Sequence, residues 1–442
     1  MTEIFRAYDI RGTYPKEINE DIAYKTGKAF VKFLNCKHIV IGYDMRTSSI
    51  KLFKSLTKGI TDMGCDVTNI GLTSTPISYF ANGFLKADAS IMITASHNPQ
   101  QYNGFKLCKD NATPIGQGTG MEEIKDLAKQ DIEISETKGK LQELDIKPEY
   151  FKFLKQHCNN IKPLKVVIDA ANAVSSITAK DIIDMTGCTL IPLFFELDGS
   201  FPNHEANPLK YETLKALQQK VIDEKADLGV AFDGDADRVG FVDEKGNIIS
   251  GDIITGLIAK ELLKQNPNSK ILYDLRSSWT TKETIEQNNG IAVECRVGHA
   301  FIKRQMKEEN AIFGGELSSH FYFKQNYNAE CSDLAMLMIL KLISEQDKSF
   351  SEIVKPIQKY FASGEINSKV SDKNKKIKQL EEKYQGGARI ISWLDGITVR
   401  NTDWWFNVRP SNTEPLLRLN LEAKSKEKME LKRDEILSII RN

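Results

Sequence analysis

Short apolar runs rich in β-branched residues alternate with helical patterns along most of the chain. The runs are continuously apolar, as expected of strands buried on both faces of a sheet. Between them, Ile22, Ala29, Phe30 and Phe33 share one face of a predicted helix that should end at Asn35. The alternation predicts an α/β fold with largely parallel sheets. The predicted strands are His38–Tyr43, Ser90–Thr94, Lys165–Asp169, Leu228–Phe232, Lys270–Tyr273 and Ala311–Phe313.

A weak internal repeat accompanies three of these strands. Each of them ends in an aspartate that precedes a serine-containing loop: Asp44, Asp169 and Asp274. Similar units in succession predict related α/β domains in tandem. The last part of the chain differs, because residues 370–385 are rich in Lys and Glu, which is typical of a solvated helix face. Shorter strands and a charged helix follow, and they predict a smaller α+β domain.

Polar or turn-rich stretches at residues 136–147, 243–251 and 362–375 are the candidate domain boundaries. They divide the 442 residues into domains 1–145, 146–250, 251–361 and 362–442. Length alone suggests about three domains, with two or four also open. The repeat and the distinct C-terminal part together predict three tandem α/β/α domains of related topology and a smaller C-terminal α+β domain.

Composition limits the partners. The 60 basic and 60 acidic residues cancel, so a site for a polyanion must be local, and we expect neither a nucleic-acid nor a membrane partner. The most apolar run, Leu334–Ile343, is far shorter than the ~20 residues of a membrane span and predicts a core helix. The N-terminus lacks an apolar signal segment, and the seven cysteines form no C-x-x-C pair. Both features favour a cytoplasmic protein with reduced thiols.

The motif TASHNP, residues 94–99, directly follows a predicted strand, where α/β sheets place their ligands. Asn98 and Pro99 predict a turn that holds Ser96 on a loop. Serine is a poor nucleophile unless a neighbouring group takes its proton. His97 is adjacent, but adjacent side chains usually diverge, so we do not expect His97 to serve Ser96. A plain turn remains the alternative.

The motif DGDADR, residues 233–238, places three carboxylates after the strand LGVAF. In an extended segment Asp233, Asp235 and Asp237 point to one side, where three unpaired carboxylates would favour a hard cation such as Mg²⁺. Arg238 is suited to a phosphate oxygen beside that metal. An EF-hand calcium loop matches the acidic positions but requires glycine where Arg238 stands. An acidic turn without a metal is the other alternative.

Two further loops carry polar groups suited to a sugar phosphate. In GGELSSH, residues 314–320, the side chains of Glu316, Ser318 and His320 alternate, and in an extended chain they could bracket sugar hydroxyls. The loop RPSNTEP, residues 409–415, offers an arginine fork and small donors in a tight turn, which suit an anion. Its candidate groups, with the arginine that follows, are Arg409, Ser411, Asn412, Thr413 and Arg418. Each loop alone is also compatible with an ordinary turn.

Two weaker clusters complete the set. FRAYDIRG places Arg6, Asp9 and Arg11 near the N-terminus, and RVGHAFIK places His299 and Lys303 at the start of a predicted helix. In this order and spacing, the motifs resemble those of the α-D-phosphohexomutase family, from Phe5 to about Glu422. TASHNP with YNGFK is similar to the family's phosphoserine loop, DGDADR to its magnesium loop, GELSSH to its sugar-binding loop and RPSNTEP to its phosphate-binding loop.

The resemblance implies four domains around a central cleft. It also implies an isomerase that moves a phosphate on a hexose through phosphorylated Ser96, with Mg²⁺ held by Ser96, Asp233, Asp235 and Asp237. Lys106 and His299 would manage protons, and Arg238 would stabilise the transferring phosphoryl group. The implied substrate-binding residues are Arg11, Arg276, Glu316, Ser318, His320, Arg409, Ser411, Asn412, Thr413 and Arg418.

Within the family, Asn412 and the segment HFYF are similar to the phosphomannomutase/phosphoglucomutase branch. The chain departs from the common pattern at Arg276, where many relatives have lysine, and at Ser319. The implied reaction interconverts hexose 1-phosphate and 6-phosphate, with mannose as the first candidate and glucose as the second, and with a hexose 1,6-bisphosphate as intermediate and activator. The implied partners are small sugar phosphates, and the implied state is a monomer or weak dimer. Phosphoglucosamine mutase, a metal-dependent sugar phosphatase and a non-catalytic sugar-phosphate binder are the alternatives.

Overall fold

The computed structural model of the protein describes residues 4–411 and 416–442. Its first sheet is packed by four helices, α1 (Glu20–Leu34), α2 (Ser49–Asp62), α3 (Thr75–Phe84) and α4 (Met121–Leu127). The strands of that sheet are β1 (Ile10–Thr13), β2 (His38–Tyr43), β3 (Asp66–Leu72), β4 (Ala89–Ile93), β5 (Tyr102–Lys109) and β6 (Leu141–Glu143). Their spatial order is β1-β5-β4-β2-β3-β6.

The second sheet has the order β11-β10-β9-β7-β8. Its strands are β7 (Lys165–Asp169), β8 (Thr189–Leu193), β9 (Leu228–Phe232), β10 (Val239–Asp243) and β11 (Ile248–Ile249). The helices of this stretch are α5 (Lys147–Lys155), α6 (Ala179–Asp184) and α7 (Lys215–Glu224).

The third sheet has the order β13-β12-β14-β15-β16. Its strands are β12 (Lys270–Asp274), β13 (Ile291–Cys295), β14 (Phe313–Gly315), β15 (Phe321–Phe323) and β16 (Ala329–Glu330). Its helices are α8 (Gly251–Leu263), α9 (Trp279–Gln287), α10 (His299–Glu309), α11 (Ser332–Ser344) and α12 (Phe350–Val354).

The three sheets share one topology. We count the strands of each unit from its central strand (β2, β7 or β12) in chain order. This first strand pairs in parallel with the second on one side and with the third on the other. The third strand (β4, β9 or β14) then pairs antiparallel with the fourth. The predicted tandem of related α/β units is confirmed. The loop that joins the third and fourth strands is the one that carries TASHNP, DGDADR or GGELSSH.

The repeated aspartates perform the same local task in all three units. One carboxylate oxygen accepts the backbone N–H two residues later, from Arg46 to Asp44, from Ala171 to Asp169 and from Arg276 to Asp274. Such a bond closes a turn directly after a buried strand and satisfies an amide that the sheet leaves free. The weak sequence repeat therefore marks the same hydrogen-bonded Asp turn in all three units.

The fourth sheet is antiparallel. Its strands are β17 (Phe361–Ala362), β18 (Ile366–Lys369), β19 (Ile390–Ser392), β20 (Ile397–Arg400), β21 (Trp404–Pro410) and β22 (Leu416–Ala423), and its helices are α13 (Lys373–Tyr384) and α14 (Lys426–Arg441). This unit encloses a hydrophobic core of its own, whereas one continuous core runs from α3 through the second and third units. The predicted smaller α+β unit at the C-terminus is confirmed. The residue limits assigned to the four domains stay a prediction.

Several predicted elements have the expected form. The face with Phe30 lies on α1, which begins after Asn19, a cap that accepts the Ile22 N–H at 3.1 Å, and ends at Asn35 in a left-handed conformation. The apolar run Leu334–Ile343 lies in α11 and is buried throughout except for Lys341, as predicted for a core helix. No helix in the described ranges is both long and apolar enough to cross a bilayer.

Several predicted strand ends were wrong, among them Ser90–Thr94, which is Ala89–Ile93 in the structure, and Lys270–Tyr273, which extends to Asp274. The third-unit strand begins at Phe313 instead of Ala311, because Asn310 caps α10 and the Ala311 N–H returns to the Met306 carbonyl at 2.9 Å. Sequence patterning also missed β21. Its Arg409–Pro410 end was assigned to a loop, yet both residues pair with β22 in the ladder.

Helices α1 and α2 pack closely because Gly27 on α1 and Gly59 on α2 leave room at their contact. A Cβ on Gly59 would lie 2.2 Å from the Tyr24 carbonyl oxygen. We predict that Gly59→Ala lowers the urea midpoint by an amount equivalent to about 1–3 kcal/mol, although alanine alone favours helix. Gly386→Ala is the control, since its Cβ would meet nothing within 4 Å. Equal midpoints for the two variants would contradict the close approach.

Candidate active site

Ser96 lies in the tight turn between β4 and β5. It is 3% exposed and adopts a left-handed conformation with φ of 50°, while the Asn98 N–H bonds to the Ala95 carbonyl. Its Oγ donates to Asp233 Oδ2 at 2.8 Å and lies 3.2 Å from His97 Nδ1. The expectation that Ser96 and His97 diverge was wrong, because this turn places consecutive side chains on one side.

Arg46 holds the Ser96 loop in place. This buried guanidinium donates to the carbonyl oxygens of Ser96, Asn98, Pro99 and Tyr102 at 2.6–3.0 Å. Its Nε also donates to Asp44 at 3.1 Å. Loop carbonyls are costly to bury without donors, so Arg46 stabilises this loop by satisfying four of them. The sequence analysis missed Arg46, although the same Asp-x-Arg spacing recurs at Asp274 and Arg276.

The three aspartates of DGDADR are buried, and one carboxylate oxygen of each lies within 4.8 Å of the others. The segment is a tight turn instead of the extended chain we expected. Ala236 has a positive φ, and the Arg238 N–H bonds to Asp233 Oδ1 at 3.1 Å. The turn brings the three carboxylates close together, whereas an extended chain would only place them on the same side. Strands flank it on both sides, so the EF-hand alternative is wrong.

Lys106, from β5, enters this acidic cluster from the first unit. Its Nζ bonds to Asp235 Oδ2 at 2.5 Å and also to Asp237, so the expectation of three unpaired carboxylates was wrong. Burial lowers the pKa of Lys106, but Asp235 and Asp237 outweigh burial and raise it above its usual value. Burial and the two neighbouring aspartates raise the pKa of Asp233 well above its usual range.

The cluster also fits a hard cation. Asp235 Oδ1 is buried and lacks a hydrogen-bond partner among the described residues, and the buried Asp237 Oδ1 meets His320 Nε2 at 3.3 Å. Buried carboxylate oxygens without donors are costly, and a small divalent cation bound by oxygen ligands offsets that cost. An all-oxygen donor set suits Mg²⁺ better than a metal that prefers nitrogen or sulfur ligands. Ser96 Oγ, hydrogen-bonded to Asp233, lies at the edge of the same set.

The loop of the third unit joins this cluster. The Arg238 Nε lies 3.2 Å from His320 Nε2, and the Val239 N–H bonds to the Ser319 carbonyl at 3.1 Å. His320 Nε2 lies 3.3 Å from Asp237 Oδ1. Burial lowers the pKa of His320, but Asp237 and Glu316 outweigh burial and raise it to about 9. The metal loop and the predicted sugar loop thus form one charged network.

Glu316 is buried and held by groups of its own unit. Its Oε2 accepts Tyr322 OH at 2.6 Å and lies 3.0 Å from His320 Nδ1, and its Oε1 accepts the Gly298 N–H at 3.2 Å. The loop is a turn, with Ser319 at φ of 63°, instead of the extended segment we expected. Ser318 Oγ lies 3.3 Å from His320 Nδ1.

A cavity of about 230 Å³ brings many predicted residues together. Asp9 and Arg11 of the N-terminal motif line it, and Arg11 Nη1 donates to Asn98 Oδ1 at 2.6 Å. Sequence reasoning missed Tyr8, which also lines the cavity and whose ring stacks obliquely on His299 at 5.4 Å. The other residues of the predicted motifs at its wall are Arg6, Ser96, His97, Lys106, Asp237, Arg238, His299 and His320.

Two predicted substrate-binding residues, Arg276 and Ser318, line a separate cavity of about 530 Å³. Arg276 makes two side-chain bonds to Asp274, at 3.1 and 2.6 Å, and its Nη2 lies 3.8 Å from Glu316 Oε1. Glu316 therefore contacts groups of both cavities, His320 in one and Arg276 in the other.

The predicted phosphate loop lies partly outside the described residues, which exclude Asn412 and Thr413. Of its described members, Ser411 is buried, and its carbonyl accepts Lys373 Nζ at 3.0 Å. Arg409 Nη2 and Arg418 Nη1 bond to the two oxygens of Glu365 at 3.1 and 3.2 Å.

Glu365 is a residue that sequence reasoning missed. Arg276 Nη1 of the third unit approaches the same carboxylate at 3.7 Å, so three guanidinium groups surround it. Burial raises the pKa of Glu365, but Arg409, Arg276 and Arg418 outweigh burial and lower it. A three-arginine cluster of this kind is suited to a phosphate. The segment carried no signal in the sequence beyond its position at a predicted domain boundary.

Comparison with known proteins covers nearly the whole chain. Four models match in order: phosphoglucomutase/phosphomannomutase α/β/α domains I, II and III at residues 2–134, 148–246 and 250–360, and the C-terminal domain at 365–439. A phosphomannomutase of Methanocaldococcus jannaschii is 42% identical, over 99% of this chain and 97% of its own. A phosphomannomutase of Escherichia coli K12 is 40% identical, over 95% and 94%.

A solved structure gives the same result for the fold. A phosphoglucomutase/phosphomannomutase family protein from Burkholderia thailandensis superposes with a TM-score of 0.92 at 29% identity. The match covers 99% of this chain and 97% of that one.

The Lys106 ammonium and a metal ion would compete for the carboxylates of Asp235 and Asp237, and removal of Lys106 tests this competition. We predict that Lys106→Met lowers the thermal midpoint of the metal-free protein, because loss of one partner of a buried ion pair costs roughly 3–5 kcal/mol. Added Mg²⁺ should then raise the midpoint more in the variant than in the wild type, since the Lys106 ammonium no longer competes for Asp235 and Asp237.

Lys28→Met is the matched control for this experiment, because Lys28 is a buried lysine that donates to the Ile132 carbonyl at 2.6 Å. Calorimetric titration with Mg²⁺ gives the affinity directly. Equal Mg²⁺ affinity in wild type and Lys106→Met would show that the ammonium and the metal do not share the carboxylates.

Proposed function

The chain belongs to the phosphoglucomutase/phosphomannomutase family, and we propose that it interconverts mannose 1-phosphate and mannose 6-phosphate through a phosphorylated Ser96. The family and its named relatives make it a phosphohexomutase, an isomerase of sugar phosphates. Relatives named phosphomannomutase at 40–42% identity favour mannose over glucose. The observation that carries the proposal is the 2.8 Å bond from Ser96 Oγ to Asp233 inside the three-carboxylate cluster.

Ser96 is the proposed phosphate carrier. A phosphoserine brings about −1.5 to −2 charges near neutral pH, so beside three buried aspartates it requires positive charge. Asp233, Asp235 and Asp237 would hold Mg²⁺ against it, and the ion would neutralise charge on the phosphoryl oxygens during transfer. Arg238 lines the same cavity and would bind those oxygens from the other side.

The far end of the substrate is assigned to the arginine cluster. Arg409 and Arg418 would bind the phosphate that does not react, with Ser411 and the residues at 412 and 413 completing the loop. Arg276 approaches the same place from the third unit. Glu316, Ser318, His320 and Arg11 are the proposed contacts to sugar hydroxyls.

Proton transfer at the reacting hydroxyl is assigned to Lys106, with His299 as the second candidate. Both line the cavity that contains Ser96, and both come from outside the metal loop. Transfer of the phosphoryl group to the sugar gives a hexose 1,6-bisphosphate, which must turn end over end before it returns the other phosphate to Ser96. A trace of the bisphosphate would therefore activate enzyme that lacks phosphate on Ser96.

Two other activities remain distinguishable. Phosphoglucosamine mutase uses the same chemistry, so relative rates on mannose, glucose and glucosamine phosphates separate it. A metal-dependent sugar phosphatase would release inorganic phosphate and need no bisphosphate. We propose a cytoplasmic enzyme, which the seven free thiols support, and the monomer or weak dimer stays a prediction.

We predict that Ser96→Ala lowers conversion of mannose 1-phosphate by on the order of 10⁴-fold or more, because the phosphate carrier is lost. Mannose 6-phosphate is measured with Mg²⁺ and a trace of hexose 1,6-bisphosphate. Sugar-phosphate binding, measured by calorimetry, should persist. Ser90→Ala, a buried serine on β4, is the control.

Turnover by Ser96→Ala would refute the phosphoserine mechanism. A wild-type protein that carries phosphate on Ser96 yet fails to convert mannose 1-phosphate would instead move the substrate to glucose or glucosamine phosphates. Release of inorganic phosphate in step with substrate loss would favour the phosphatase.

Glu365 pairs with Arg409 and Arg418, the arginines that we propose bind the phosphate. We predict that Glu365→Gln strengthens binding of inorganic phosphate by roughly tenfold, the change that about 1.4 kcal/mol produces, because a competing anion is removed. Calorimetric titration measures it. Glu294→Gln is the control, because Glu294 pairs with Arg400 across the same two units but outside the cluster.

The opposite result has a clear meaning for Glu365. If phosphate binds more weakly to Glu365→Gln than to Glu294→Gln, the carboxylate orients the arginines for phosphate and does not compete with it. The assignment of Arg409 and Arg418 to phosphate would then stand, and the competition would be refuted.

A further inference from the structure

A third cavity, of about 510 Å³, lies between the first and third units. The end of β5 and the chain after it, from Lys109 to Pro114, form one side, and α10 with residues 324–328 forms the other. It shares no lining residue with the two cavities of the proposed active site. Its volume is within the range of small-molecule sites.

Five cationic side chains line this cavity, and Glu308 is the one carboxylate among its described lining residues. The cations are Lys109, Lys303, Arg304, Lys307 and Lys324. In a chain whose 60 basic and 60 acidic residues cancel, this excess is local. A concave site with one sign of charge focuses its field on a ligand of opposite sign.

The protein neutralises only part of the charge at the cavity, where Lys303 meets Glu330. Arg304 and Lys307 form no ion pair within the described ranges, and with Lys303 they place like charges three and four positions apart on α10. Elsewhere, exposed helical lysines meet acidic partners at that spacing, as Lys25 meets Asp21. Like charges at this spacing oppose the helix, so a bound anion would relieve the repulsion.

The backbone at the cavity is strained in two places. Asn111 and Ala112 on one wall, and Tyr327 and Asn328 on the other, all have φ between 52 and 60°. Alanine and tyrosine rarely adopt this left-handed conformation. Such residues cluster at ligand sites, where the surrounding structure maintains them.

A buried carboxylate connects this cavity to the proposed active site. Lys303, which lines the cavity, is 4% exposed, and its Nζ lies 2.6 Å from Glu330 Oε2. Glu330 Oε1 lies 3.8 Å from His299 Nδ1, and His299 lines the cavity that contains Ser96. An anion that drew Lys303 towards the cavity would weaken its pairing with Glu330 and change the charge beside His299.

We propose that this cavity is an effector site for a small organic phosphate, such as a nucleoside diphosphate or a sugar bisphosphate, that acts on turnover through Lys303, Glu330 and His299. The cations would bind the phosphate groups. Ala112, Pro114, Ala300 and Tyr327 provide an apolar wall for the rest of the ligand. The site itself does not depend on which sugar the enzyme converts.

The test compares Arg304→Gln/Lys307→Gln with the control Lys51→Gln/Lys54→Gln. Both pairs are exposed, lie three positions apart on a helix and remove two positive charges, but Lys51 and Lys54 lie on α2, away from the cavity. The probes are inorganic pyrophosphate, adenosine diphosphate and glucose 1,6-bisphosphate, titrated by calorimetry. Equal thermal midpoints establish that both variants fold.

We expect the wild type and the control to bind a probe at two sites per chain, and the cavity variant to lose one of them or bind there at least tenfold more weakly. The probe that shows the largest difference identifies the ligand class. The same probe should change the turnover rate of the wild type and of the control, but not that of the cavity variant.

Identical titrations for both variants would overturn the site. Loss of a binding site without any change in the probe's effect on turnover would overturn the link through Glu330. Anionic vesicles or RNA that bind the wild type but not the cavity variant, with no small probe bound, would also overturn the proposed ligand. None of these outcomes depends on the mannose assignment.

Discussion

The burial of three aspartates within 4.8 Å of one another is the constraint on which the rest of the site depends. Like charges at that separation, away from water, repel strongly. Lys106 from the first unit and His320 from the third supply the positive charge that Asp235 and Asp237 require. The metal loop of the second unit can therefore be buried only when the other two units dock against it.

The repeated topology delivers these groups to one place. In each α/β unit the functional loop joins the third, parallel strand to the antiparallel fourth, at the carboxyl edge of the sheet where ligands of open α/β sheets bind. The Asp turns after β2, β7 and β12 lie at the same edge. Three copies of one unit could thus be specialised to carry a nucleophile, a metal and a sugar-binding group.

The carboxylate cluster at one end of the site and the arginine cluster at the other each contain a side chain of opposite charge from the protein itself. Lys106 lies among the carboxylates, and Glu365 lies among three guanidinium groups. Each internal partner lowers the cost of burying the cluster, and we propose that each is displaced when a metal or a phosphate binds. Such internal partners keep a strongly charged cleft folded and make ligand binding an exchange of ions.

The sequence by itself determined the fold class, the repeat and the nature of the chemistry, because periodicity and motif order are properties of short segments. The strands at β2, β7 and β9 and the end of α1 at Asn35 followed from local patterns alone. The contacts of His97, Lys106, Arg46 and Glu365 did not. They join residues through tight turns or across distant segments, and such a contact exists only when positive φ angles and docked units bring the charges together. Local sequence cannot encode which opposite charge a buried group will meet, and only the tertiary structure decided it.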